Sequence, residues 1–131
     1  MNKTTFSTPK APIPSSHIAQ VSCYGSVGFL SGQISQDRQT GEVIRDTVAG
    51  QTRRILTNIR TILEEMGLGL ENVIKCNVFL SSMEHFDEMD AVYKTFFSSV
   101  NPPARQTVSA GIWADLDIEI SAEIILDHLT D

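Results

Sequence analysis

Arg105 stands directly behind Asn101-Pro102-Pro103-Ala104, and that placement is the first sign of chemistry in the chain. Two successive prolines fix the backbone and lack amide hydrogens, so the sequence predicts that a helix ends at Phe96-Phe97 and that Arg105 opens a new element. A guanidinium delivered to a strand end by a rigid turn is suited to gripping a carboxylate in two parallel hydrogen bonds. The second candidate is Glu119, within Ile118-Glu119-Ile120-Ser121-Ala122-Glu123-Ile124. Apolar and polar residues alternate there at period two, which predicts a strand and turns Glu119 away from the face used by the isoleucines. A carboxylate so placed could orient water as a base near neutral pH. The third candidate is Gly32 in Ser31-Gly32-Gln33, because a glycine inside a strand marks either a bulge or a backbone that faces a ligand. Plainer roles stand beside these: an ion pair at a subunit seam for Arg105, and an ordinary polar strand position, paired with a lysine, for Glu119.

The other reactive residue types form no constellation. His85 falls in the first turn of a helix with no second histidine at ligand spacing, and His128 lies in the tail, so no metal site is expected. Cys23 and Cys76 have neither metal nor redox spacing and read as buried free thiols in a reducing compartment. No cofactor is required by any of these groups. Ten Lys and Arg against sixteen Asp and Glu give 10 − 16 = −6, which opposes lasting contact with nucleic acid or an anionic membrane. Arg53, Arg54 and Arg60 share a helix face and read as a solvated surface rather than an RNA-binding stripe. Nothing near the N-terminus has the pattern of a signal peptide and no apolar run reaches membrane-spanning length, so the expectation is a soluble cytoplasmic protein.

The elements that must position Arg105, Glu119 and Gly32 follow from the hydrophobic pattern. A chain of 131 residues, 41% hydrophobic, is expected to form one globular domain over residues 1–131. Residues 1–16 hold Pro9, Pro12 and Pro14 and predict an extended arm. Val21 to Ser35 reads as two strands joined near Gly25, followed by a turn at Asp37-Arg38-Gln39-Thr40-Gly41. Asp46 or Thr47 can cap a helix running to about Met66, with Ile55, Ile59, Ile62 and Leu63 on its apolar face and Gly67 as terminator. Val73 to Leu80 follows as a strand with Ile74, Cys76, Val78 and Leu80 on one face, Lys75 and Asn77 on the other. Ser81-Ser82-Met83-Glu84 matches a capping box, and the helix it opens carries Phe86, Met89, Val92, Tyr93, Phe96 and Phe97 as a core-facing stripe. The result is an α+β domain with both helices on one face of a mixed sheet. Two helices cannot cover both faces, and exposure of Phe79, Val108 and Trp113 predicts a symmetric homo-oligomer with a site at its seam.

In this order the residues resemble the Rid, or YjgF/YER057c/UK114, family of small imine deaminases, formerly called the endoribonuclease L-PSP family. The matching pieces are Ser31-Gly32-Gln33-Ile34, Thr40-Gly41-Glu42-Val43, Glu64-Glu65-Met66-Gly67-Leu68, Val73-Ile74-Lys75 through Val78-Phe79-Leu80, Tyr93-Lys94-Thr95-Phe96-Phe97, and Pro103-Ala104-Arg105 followed by Ile118-Glu119-Ile120. They span nearly the whole chain. The resemblance implies a chorismate-mutase-like homotrimer with clefts between subunits, and hydrolysis of 2-imino acids to 2-oxo acids and ammonia without cofactor or metal. It implies that Arg105 binds the substrate carboxylate, that Glu119 positions or activates the attacking water, and that Gly32 lends its backbone at the cleft.

Five positions depart from the family pattern. Where active members carry a cleft tyrosine this chain has Ile18, preceded by Ser16-His17; where many have asparagine it has Asp90. Gln106 and Thr107 replace a small residue and a cysteine, and Ser121 replaces a second glutamate. A carboxylate at Asp90 would either repel an anionic substrate or hold its ammonium-like nitrogen. Arg105, Gly32, Asp90, Thr107 and Ile18 are thus the expected substrate-binding positions, with Arg105 and Glu119 catalytic. The first reading is an imine deaminase. The alternative is a non-catalytic trimer that binds a small metabolite, and an RNA-cleaving or translation-inhibiting relative is weaker still.

Overall fold

The computed structural model describes residues 2–129, and its elements follow from the apolar pattern. An arm strand β1 (Thr4–Phe6) precedes the hairpin β2 (Val21–Tyr24) and β3 (Val27–Gln33), whose turn uses Gly25 at φ 62°. Helix α1 (Val48–Glu65) begins at Thr47, whose hydroxyl accepts from the Gly50 amide, and it stops at Met66 before Gly67 at φ 76°. Strand β4 (Val73–Leu80), helix α2 (Phe86–Phe96), strand β5 (Ala104–Ser109) and strand β6 (Ile118–Ile125) complete the chain. The sheet order is β1-β2-β3-β6-β4-β5. Every neighbouring pair is antiparallel except β4 and β5, which run parallel and need the α2 crossover between them.

Both helices pack on one face. Ile55, Leu56, Ile59, Ile62 and Leu63 of α1 and Met89 of α2 meet Leu30, Val78, Leu80, Ile118, Ile120 and Ile124 of the sheet, all 2% exposed or less. Each such side chain contributes about 1.5–3 kcal/mol on burial. The opposite face carries Phe29 (54% exposed), Val108, Phe79, Lys75, Asn77, Glu119, Ser121 and Glu123. It is mixed rather than oily: Asn77 Nδ2 donates to Ser121 Oγ at 3.1 Å, and Lys75 Nζ lies 3.9 Å from Glu123 Oε2. Trp113, at 77% exposure, projects from the loop between β5 and β6.

Two local expectations need correction. Ile74 does not join Cys76, Val78 and Leu80 on the core face. The pairing of β4 with β6 slips between Val73 and Lys75, so Val73 is buried and Ile74 is 44% exposed. Nor does Ser81 cap the second helix. The chain first makes a 3₁₀ turn over Met83–His85 capped by Ser82, whose Oγ accepts from the Glu84 amide, and α2 starts only at Phe86. Ser81 Oγ instead donates to Asp117 Oδ1 at 3.0 Å, while Gln51 Nε2 donates to Asp117 Oδ2 at 3.0 Å, tying α1 and the end of β4 to the start of β6. His85 joins this knot, its Nε2 3.5 Å from Asp117 Oδ1. Cys23 and Cys76 are buried and free, and burial pushes the Cys76 thiol up to about 11. No helix is long and apolar enough to cross a membrane among the described residues.

Candidate functional site

The singled-out residues fall into two groups. Arg105 pairs in register with Cys76 of β4 and, like it, points to the helix side of the sheet. There the guanidinium meets α2. Arg105 Nη1 donates to Asp90 Oδ1 at 2.7 Å, and its central carbon lies 4.6 Å from the Tyr93 ring centroid and 5.3 Å from that of Phe86. Rings at such distances attract a cation through their faces and limit its rotation. Asp90 also sits 3.3 Å from Lys94 Nζ. The hydrogen bond from Arg105 is the largest influence on the Asp90 carboxyl and holds it below its ordinary pKa, against the opposing effect of burial. Thr107, two residues after Arg105, lies on the same side of β5.

Only one of the five guanidinium N–H donors is thereby engaged; the others have no hydrogen-bond partner among the described residues. Side chains of Arg105 and Asp90 retain 22% and 19% exposure, so the pair is not sealed from solvent. Tyr93 is 7% exposed, and its hydroxyl finds no hydrogen-bond partner among the described residues. Burial raises the pKa of that phenol, which stays neutral at physiological pH.

The second group lies across the sheet. Glu119 pairs with Phe79 and shares its open face. Its carboxylate rests over Gly32, where a Cβ would come within 2.9 Å of Glu119 Cδ. Absence of a side chain at Gly32 therefore makes room for the carboxylate. The pairing of β3 with β6 also shifts between Leu30 and Gln33, so the strand is irregular at Gly32, as the bulge reading expects. Burial pushes the Glu119 carboxyl above its ordinary pKa. Ile18 approaches this group through the arm. Gln20 is fully buried, donating from Nε2 to Thr8 O (3.1 Å) and Pro12 O (2.9 Å). Ser31 Oγ donates to Ala19 O at 2.6 Å, and Ser31 N donates to Gln20 O at 2.9 Å. The segment carrying Ile18, itself 57% exposed, is thus stitched beside Ser31-Gly32.

One chain does not bring the two groups together. Arg105, Cys76 and Ala122 lie in one row across β5, β4 and β6, and Glu119 is three residues further along β6. Two strand spacings and three residues of rise separate the two by about 14 Å in the sheet plane. They also face opposite sides. Sequence reasoning assigned Phe86 and Tyr93 to the core and did not connect Lys94 with Asp90. The available signal was spacing: 86, 90, 93 and 94 share one helical face. Among the described residues no group of three or more His, Cys, Asp or Glu is placed to hold a metal.

A mixed sheet carrying both helices on one side, with an arginine after a Pro-Pro turn and a glutamate over a strand glycine, defines a recognisable class of α+β protein. The family described as Endoribonuclease L-PSP matches residues 8–125, and the chain belongs to that family, the Rid or YjgF group. A RutC family protein of Pyrococcus abyssi is 37% identical over 123 residues, covering 93% of this chain and 96% of its own. A 2-iminobutanoate/2-iminopropanoate deaminase of Dermatophagoides farinae is 30% identical over 126 residues, covering 95% and 98%. Among solved structures, E. coli TdcF with bound serine superposes with a TM-score of 0.84 at 33% identity, over 93% of this chain and 98% of that one.

Proposed function

We propose that this protein hydrolyses 2-imino acids to 2-oxo acids and ammonia in a cleft built by two copies of the chain, within a homotrimer. One observation carries the reading. Arg105 offers unpaired donors for a carboxylate, Glu119 offers a carboxylate for water, and the two face opposite sides of one sheet. A second copy, bringing the Glu119-Gly32 face against the Arg105 edge, completes the pair, and the open face with Phe29 and Val108 is suited to being covered. The deaminase of Dermatophagoides farinae and the serine-bound TdcF agree in the class of small molecule.

The chemistry balances with these groups alone. The substrate binds as a protonated iminium carboxylate, its carboxylate on Arg105. Glu119 takes a proton from water as the oxygen attacks the C=N carbon, and the π pair moves to nitrogen. The proton passes from Glu119 to that nitrogen, the C–N bond breaks with loss of ammonia, and the hydroxyl returns its proton to Glu119, leaving the carbonyl. Glu119 then releases that proton to ammonia or water. Holding the substrate for attack removes several kcal/mol of bimolecular entropy cost.

A second reading, a binding trimer without turnover, draws on the Asp90 partner already seated on Arg105 and on Ile18 in the tyrosine's place. The deciding experiment generates the imine of alanine or 2-aminobutanoate with an amino-acid oxidase and follows its decay. Acceleration that is lost in Arg105→Ala supports the deaminase; none with any imino acid, from a folded trimer, leaves the binding reading. The shared cleft has its own test. Arg105→Ala and Glu119→Gln chains, each inactive alone, are expected to recover about a quarter of wild-type activity when unfolded and refolded together as randomly mixed trimers.

A further inference from the structure

We propose that Asp90 makes the Arg105 clamp selective for charge: it favours ligands with a cationic nitrogen beside the carboxylate and disfavours the same carbon skeleton with a neutral oxygen there. The inference rests on reading Arg105 as a carboxylate clamp but not on turnover. Its basis is the arrangement at the edge of β5. Asp90 Oδ1 occupies one donor of the guanidinium at 2.7 Å and leaves the rest open, so a ligand carboxylate docks beside a fixed anion rather than on an isolated cation. Three features let that anion act on a ligand. Arg105 cannot swing freely, being flanked by Tyr93 and Phe86. Asp90 is only 19% exposed, so its charge acts at short range with reduced screening. Its one other cationic partner among the described residues, Lys94, is 74% exposed and able to move aside into water.

The net field felt by a ligand follows from these charges. A carboxylate alone gains Arg105 and is opposed by Asp90. An ammonium or iminium next to that carboxylate recovers the opposition as attraction, because it carries its positive charge to the side where Asp90 waits. A neutral asparagine at this position would provide no such discrimination. For a deaminase the consequence is directional: the iminium substrate matches the Arg105–Asp90 pair, whereas the oxo acid product has lost the cationic nitrogen and leaves readily.

The test compares 2-aminobutanoate, which carries an ammonium, with 2-oxobutanoate, which does not, by calorimetric titration of the assembled wild-type protein and of Asp90→Asn. Wild type is expected to bind the amino acid more tightly than the oxo acid. In Asp90→Asn the ratio of the two dissociation constants is expected to move at least tenfold toward the oxo acid, with Asp90→Glu retaining the wild-type order. An unchanged ratio in a folded Asp90→Asn protein overturns the proposal, as does failure of wild type to bind either compound. Circular dichroism of each variant guards against misfolding. Imine hydrolysis is scored separately by decay kinetics, so a folded protein that shows the charge preference without turnover would sink the deaminase and leave this inference standing.

Discussion

The two faces of the sheet hold their reactive groups in different ways. On the helix side, Arg105 is fixed by charge and by aromatic surface: Asp90 at 2.7 Å, Tyr93 and Phe86 on its flanks. On the open side, Glu119 is fixed by room alone, resting in the space that Gly32 leaves. A cation attracts its own supports, so its position is enforced by several weak bonds. A half-buried carboxylate without a partner among the described residues gains nothing comparable, and burial leaves it more basic than an ordinary glutamate. The first arrangement suits grip, the second suits proton transfer.

Breaking the grip has the largest expected effect. Arg105→Ala is expected to lower kcat/KM for imine hydrolysis by roughly 10²–10³, since it deletes a desolvated charge-assisted contact and leaves Asp90 without its partner. Steady-state kinetics checks this, and a loss of less than tenfold would refute the clamp. Next comes Glu119→Gln, expected to cost about a hundredfold. The sign of its pH dependence follows from the raised pKa. Burial disfavours the charged form, so the base appears only as pH rises through a value above 4.5, and the acid limb of kcat/KM should have its midpoint there. That limb should vanish in Glu119→Gln. A limb at or below 4.5 would contradict the assignment.

Gly32→Ala probes the space itself. The added methyl meets a flexible carboxylate rather than backbone, so the fold should survive with a loss near 1 kcal/mol while kcat falls about tenfold. In a Glu119→Gln background the same change should add little further loss in kcat, and full additivity would uncouple the two residues. The smallest effect belongs to Tyr93→Phe. The hydroxyl has no hydrogen-bond partner among the described residues and the ring lies against Arg105, so thermal unfolding should show stability unchanged or raised by about 1 kcal/mol. Kinetics should be unaltered. A marked loss of activity would assign that hydroxyl a task.

Much of this comparison was legible beforehand. Period-two alternation placed Glu119 off the isoleucine face, and the Pro-Pro turn placed Arg105 at a strand start, because both depend on local backbone rules. Ile74 was misplaced because a one-residue slip against β6 reverses the facing of a strand residue, and no local pattern encodes a slip. Ser82 rather than Ser81 caps the next turn because Asp117, 36 residues away, claims the Ser81 hydroxyl. The Arg105–Asp90 bond was equally invisible. Each residue could be picked out singly, but only the parallel packing of β5 beside β4, under α2, sets their side chains in contact.

The α2 crossover has a consequence for how the molecule comes apart. Arg105 and Asp90 are separated by 15 positions, within a single strand-helix-strand unit. Gly32 and Glu119 are 119 − 32 = 87 positions apart and meet only when β3 has paired with β6. The clamp is therefore a low-contact-order assembly, available early in folding and retained late in unfolding, while the glutamate's seat depends on the longest-range closure in the sheet. Local opening of the β1–β3 meander would unseat Glu119 first and leave the Arg105–Asp90 contact in place.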